Sequence, residues 1–368
     1  MIGARDMVET GLPFAAGAAA GAILFSSSIP GGTLLPAMLA AVLSVLVTYS
    51  FLRRGGIRWT RAMIVLAFCL AGVFCSLNSH LTAGIELPQG PVGRLCGRCL
   101  GKLIGHIDSI PYPSGGTGPL VKALITGDRS GLGKETVEMF RASGASHILA
   151  LSGLHLGIIY LILNKLTFPL GNSPTARKIR FIILVGSSCF YAVMTGASPS
   201  IVRALLFIII GETGKLLLRE RNPVRVLVAA LTIQLALKPE VISTTGFQLS
   251  YLAMLGICTV YPRLWNLYPD AGGIRGRVDP FRNVWKAACL SISCQLFTAP
   301  LVWLRFGTFP KYFLITNLIA MPLTSAVMVL SVATIALSFL GICPFALVQL
   351  NDLAVSILLG CLETICGL

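Results

Sequence analysis

The sequence predicts an all-α polytopic membrane protein with about 10–11 transmembrane helices and an amphipathic helix on the outer surface. Three observations carry this. Of the 368 residues, 55% are hydrophobic and only 12% charged, with a mean hydropathy of +0.82, whereas a soluble domain carries about 25% charged residues. Apolar stretches close to the length needed to cross the hydrocarbon core follow one another along the chain. Basic residues gather in every second connecting segment, the asymmetry shown by cytoplasmic loops. The formal net charge of +15 is therefore mostly a matter of topology and is not by itself a sign of nucleic-acid binding.

In chain order, residues 1–10 are polar and mixed in charge, and no removed signal peptide is expected. Spans follow at 11–29, 33–52 and 62–77. The first link, Pro30-Gly31-Gly32, is uncharged, while 53–61 (RRGGIRWTR) holds four arginines. That puts 53–61 in the cytoplasm and residues 78–146 outside. Within this outer segment, 91–110 repeats Leu95, Cys99, Leu103 and Ile107 at helical spacing, with Arg94, Arg98 and Lys102 on another side. This pattern reads as an amphipathic helix lying on the membrane surface. A breaker run, IPYPSGGTGP, and two short helices at 119–126 and 132–142 complete the segment.

Further spans are expected at 181–194, 199–218, 226–237, 248–261, 287–304, 313–340 (broken at Pro322) and 344–366. Basic links at 175–180, 215–225 and 263–286 alternate with links poor in charge. Reporter fusions after Gly55, Arg177, Arg221 and Arg275 should therefore report cytoplasm, and one near Gly115 the outside. One reversed basic loop would break this parity. The chain divides into amino-terminal helices (1–80), an extracytoplasmic amphipathic linker (81–145) and a transmembrane channel domain (146–368).

The chemistry gathers at 143–157, SGASHILALSGLHLG. On a wheel of 3.6 residues per turn, Ser146, Ala150, Gly153 and Gly157 share one stripe, small enough for close helix approach. Ser152 and His155 fall on nearly the opposite side, within reach of each other, at a depth where polar groups are costly. Three other spans carry polar groups toward the same outer leaflet: Arg203 just below Ser198 and Pro199, Gln248 with Ser250, and Asn317 ahead of Pro322. Each alone reads as a snorkelling or interhelical group. Together, Ser152, His155, Arg203, Gln248 and Asn317 are the candidate lining of a translocation path.

The stretch FRASGASHILALSGLHLGI resembles the signature of the ComEC competence family. Similar pieces follow in the same order: ALITGDRSGL at 123–132, TGASPSIVRA at 195–204, KPEVISTTGFQLSY at 238–251 and FGTFPKYFLITNLIAMPL at 306–323. Five motifs in order are more specific than any one. The resemblance implies an inner-membrane channel module for single-stranded DNA in natural transformation, in a bacterial cytoplasmic membrane. Its partners would be single-stranded DNA, the lipid bilayer and other competence proteins: a DNA receptor, a cytoplasmic translocation motor and a nuclease. Family members usually carry an outer oligonucleotide-binding-fold domain, and many a carboxy-terminal metallo-β-lactamase-like domain. Residues 78–118 are too few for the first, and no HxHxDH cluster marks the second.

No enzyme activity, cofactor or metal is expected. The eleven cysteines are mostly scattered through spans, where a thiol behaves as a small apolar group. Cys96 and Cys99 form a CxxC for which His106 is the only near further ligand, short of a zinc set. GDRSGLGKET at 127–136 lacks the spacing of a P-loop. Two alternatives remain open. An intramembrane serine hydrolase would use Ser152 and His155, but needs a base in reach and oxyanion donors. A small-molecule permease would call for paired broken helices.

Overall fold

The computed structural model describes residues 4–24, 57–82, 90–218, 222–268, 280–307, 312–342 and 344–367. Among these the secondary structure is helical, without strands. The span expected at 33–52 lies outside them. Among the described residues, four helical stretches are long and apolar enough to cross a membrane: Gly153–Leu170, Phe281–Phe306, Phe313–Phe339 and Phe345–Cys366. Ile64–Leu77 and Pro223–Leu237 are shorter apolar helices. The chain is an all-α, multi-pass membrane protein.

The helices form two compact units that cut the chain differently from its linear segments. One comprises Met1–Pro88 and Leu206–Tyr251, the other Gln89–Leu205 and Leu252–Leu368. In the first unit, α1 (Ala4–Leu24) packs along α2 (Ile57–Thr82). Two glycines of α1, Gly17 and Gly21, are four residues apart, the small-xxx-small spacing that lets helix backbones touch. A Cβ on Gly17 would lie 2.7 Å from the Cys69 carbonyl carbon, and one on Gly72 2.7 Å from Ala18 N.

The second unit begins with α3 (Pro91–Asp108), where Pro91 at the first turn supplies a helical φ without losing a needed N–H. Its apolar face does not lie bare. Cys96 and Ile107 are buried, and α3 packs on α4 (Thr117–Thr126) and α8 (Pro174–Met194). Following α4 are α5 (Lys134–Ala142), the single turn α6 (Ser146–Leu149) and α7 (Gly153–Leu166).

α9 (Pro199–Leu216) and α11 (Thr245–Thr259) are each cut by the division between units, and α10 (Pro223–Leu237) belongs to the first. α12 (Tyr261–Trp265), α13 (Pro280–Phe306), α14 (Phe313–Phe339) and α15 (Phe345–Cys366) complete the second unit. Its core joins Leu120, Leu124, Phe140, Ile148 and Leu149 to Val327, Met328, Val355 and Leu358 on α14 and α15.

The break expected at Pro322 does not occur: α14 runs unbroken through it. An internal proline removes one backbone hydrogen bond, which membrane helices tolerate when neighbours hold both sides. α14 packs along α13 and α15.

Candidate functional site: a capped helix break

The stretch 143–157 is not one helix. After α6 the chain leaves helical geometry at Ala150 (φ −73°, ψ 128°) and Ser152 (φ −119°, ψ 171°), and α7 starts at Gly153. Ser152 sets that start. Its Oγ accepts the Leu154 N–H at 3.2 Å, and its own N–H donates to His155 Nδ1 at 3.0 Å. Together they form a reciprocal capping box, with His155 in the place usually held by Glu or Gln. Two amide donors near the start of α7 are thereby satisfied.

Ser146, Ala150, Gly153 and Gly157 consequently do not share one face across the break. Gly153 is closely packed: a Cβ there would sit 3.2 Å from Ala204 Cβ and 3.2 Å from Arg203 Nη2. A Cβ on Gly157 would meet nothing within 4 Å, and Ser146 and Ala150 are exposed.

Ser152 Oγ also lies 3.0 Å from His155 Nδ1, the pairing expected from the sequence. Because Nδ1 accepts the Ser152 backbone N–H, a neutral ring carries its proton on Nε2; the tautomer is assigned from this bond. His155 is 0% exposed, and Nε2 has no hydrogen-bond partner among the described residues.

Of the candidate path residues, Ser152, His155, Arg203 and Asn317 belong to the second unit and Gln248 to the first. Arg203 meets the Ser152–His155 turn through Gly153. Asn317 lies on α14 with a buried, unpartnered Oδ1. Gln248 donates its amide to the Ile242 carbonyl at 2.8 Å, a tie across the start of α11. At the far end of α7, Asn164 accepts from Arg180 Nη2 at 2.9 Å.

The structure adds residues that the sequence reading did not single out. Tyr191 on α8 donates its hydroxyl to the Ile125 carbonyl at 2.8 Å, and Thr316 on α14 donates to the Ser143 carbonyl at 2.8 Å. Asp352 on α15 accepts from the Ser114 hydroxyl at 2.8 Å and from Thr117 Oγ1. These bonds tie the segments before the break to α8, α14 and α15. Asp352 was findable in principle, as an acid inside an apolar span. Its partners, more than 230 residues away, were not.

At the α4–α5 link, Gly127 closes α4 in the left-handed region (φ 82°), and Asp128 Oδ1 accepts the Ser130 N–H at 2.9 Å. This bond holds the Asp128 carboxyl below its ordinary value. Among the described residues, no group of three or more His, Cys, Asp or Glu is placed to hold a metal ion.

Fold and site together define a multi-pass membrane protein in which a polar capping box starts the apolar helix α7 just after the single turn α6. Residues 124–368 match the family model of the Competence protein family, more than half of the chain, and the chain belongs to that family, the ComEC competence proteins. It is 32% identical over 139 residues to ComE operon protein 3 of Bacillus subtilis (strain 168), covering 38% of this chain and 17% of that protein. It is 26% identical over 224 residues to an uncharacterised protein, YcaI, of Escherichia coli (strain K12), covering 60% and 28%. An uncharacterised protein of Aquifex aeolicus (strain VF5) is 28% identical over 182 residues, covering 49% and 38%. The matched regions thus span well under half of each relative's own length. No solved structure matches the chain.

Proposed function

We propose that this chain is the channel module for uptake of single-stranded DNA across a bacterial cytoplasmic membrane in natural transformation, and that it is not an enzyme. The observation that carries this reading is the half-buried polar turn at Ser152–His155, with His155 itself buried, set in a break between α6 and α7 inside the family-matched region. Unwound backbone and polar side chains at membrane depth are tolerated where they are buried in protein or line a cavity. A path for DNA should be polar and not densely basic, because tight phosphate binding slows release. A DNA receptor, a translocation motor and a nuclease would be supplied by other competence proteins.

The 3.0 Å Ser152–His155 pair also favours a second reading, an intramembrane serine hydrolase. Against it, Nδ1 is already engaged by a backbone donor and Ser152 Oγ by the Leu154 N–H. Activation needs a lone pair free to take the hydroxyl proton.

Uptake of labelled DNA, measured in cells with and without the gene, tests the channel reading: loss in the deletion is expected, and unchanged uptake would overturn it. Ser152→Ala should cost the fold about 1 kcal/mol through the lost cap and leave uptake nearly intact, while Ser152→Trp should block it. Fluorophosphonate labelling of the wild type but not of Ser152→Ala would replace the channel with the hydrolase.

A further inference from the structure

Along α3 the dipeptide glycine–basic residue recurs every four positions: Gly93-Arg94, Gly97-Arg98, Gly101-Lys102 and Gly105-His106. Four residues advance a helix by about 6 Å and return it to nearly the same side, so the repeat draws a straight line. His106 turns away from it and stacks on Phe339, ring centroids 3.9 Å apart. Arg94, Arg98 and Lys102 are exposed, and among the described residues none of their side chains makes a hydrogen bond or an ion pair. The one acid of the helix, Asp108, is engaged by Lys122 at 3.1 Å. Gly97, Gly101 and Gly105 are exposed too, and a Cβ on any of them would meet nothing within 4 Å.

We propose that this face of α3 docks the phosphodiester backbone of single-stranded nucleic acid, with Arg94, Arg98 and Lys102 each facing one phosphate. The proposal rests on the DNA-uptake reading above and assigns that reading an entry site. Three cations in line at equal spacing complement a linear polyanion, and the glycines between them leave room for a sugar–phosphate chain to lie close.

The rival occupant is an anionic bilayer. An interfacial helix binds lipid by sinking its apolar face into the acyl boundary, and here that face is spent on protein: Cys96 and Ile107 are buried and Leu103 packs on the core. Only Val92 and Leu95, at the amino-terminal end, stay exposed as large apolar groups. Topology does not account for these cations either, since the loop charges place this segment outside, where basic residues are not favoured.

The test uses the full chain in nanodiscs of neutral phosphatidylcholine and a fluorescent oligothymidylate. Binding is expected to weaken about 20-fold between 50 and 200 mM salt, the dependence set by three phosphate contacts on a single strand. Each of Arg94→Ala, Arg98→Ala and Lys102→Ala should lower the log–log salt slope by about 0.7, while Arg94→Lys with Arg98→Lys should preserve it. These exposed sites make no side-chain bond that folding requires, and melting in detergent checks this.

No binding by the wild type, or an unchanged salt slope in the triple alanine variant, overturns the proposal. So does dependence on these residues of binding to phosphatidylglycerol vesicles but not to the oligonucleotide. Labelled-DNA uptake by the triple variant separates the two readings: wild-type uptake with unchanged binding sinks the docking site and leaves the channel standing.

Discussion

Gly72→Leu is expected to drive α1 and α2 apart and to cause a large loss of stability in the first unit. A Cβ at Gly72 would fall on the Phe14 carbonyl and 2.7 Å from Ala18 N, all backbone atoms of α1. No rotamer change relieves a backbone clash, so the helices must separate and give up packing around Phe14, Ala18 and Leu77, each at most 5% exposed. Overpacking costs about 1–3 kcal/mol and occasionally more; with backbone on both sides the loss should sit at or above the upper end.

Gly360→Leu on α15, where a Cβ meets nothing within 4 Å, is the control and should melt in detergent like the wild type. Cys69 and Cys75 on α2 are half-buried and report the separation through faster maleimide labelling in Gly72→Leu alone. Equal melting and equal labelling in the two variants would show that α1 and α2 are not held in backbone contact.

The residues just named show which parts of the fold were legible in the sequence. Runs of apolar residues bounded by breakers gave the membrane helices, because lipid demands that every backbone group be satisfied within the helix. The period of Leu103 and Ile107 gave α3 and its buried face. It did not reveal what covers that face: α4 and α8 come later in the chain, and their contact is a tertiary fact. The Gly17–Gly21 spacing was visible in the sequence, but its partner Gly72 was not, since nothing local pairs two helices.

The helix break is the instructive case. A wheel through 146–157 presumes a continuous helix, and Ser152 followed by Gly153 was read as a polar spot on it. Serine competes for backbone donors and prefers a helix start, and a histidine three residues on can replace the usual carboxylate of a capping box. With the break in place, Ser152 and His155 remain neighbours while the small stripe is divided. Pro322 went the opposite way, because a single lost bond is cheap inside a packed bundle.

Gly127→Ala is expected to be a damaging small substitution in the second unit, for two separable reasons. Gly127 ends α4 at φ 82°, its N–H bonded to the Ala123 carbonyl at 3.0 Å; a residue with a Cβ pays about 1–2 kcal/mol in that region. The added Cβ would also press into the Leu151 side chain, 2.8 Å from its Cγ, which adds roughly 1–3 kcal/mol.

Gly341, just past α14, isolates the first cost: it has φ 75° and nothing within 4 Å of an added Cβ. Gly341→Ala should therefore lose only the backbone part. Leu151→Ala isolates the second, since removing the side chain opens the space. In the double variant Gly127→Ala/Leu151→Ala the destabilisation should be smaller than the sum of the singles by about 0.5–3 kcal/mol, the range for residues in contact.

Leu151 directly precedes Ser152, so a displaced Leu151 pulls on the cap that starts α7. Gly127→Ala should accordingly reduce DNA uptake more than Gly341→Ala does, and Leu151→Ala should restore part of it. Additive stabilities in the double variant, or equal melting for Gly127→Ala and Gly341→Ala, would mean that the end of α4 and the helix break are not coupled through Leu151.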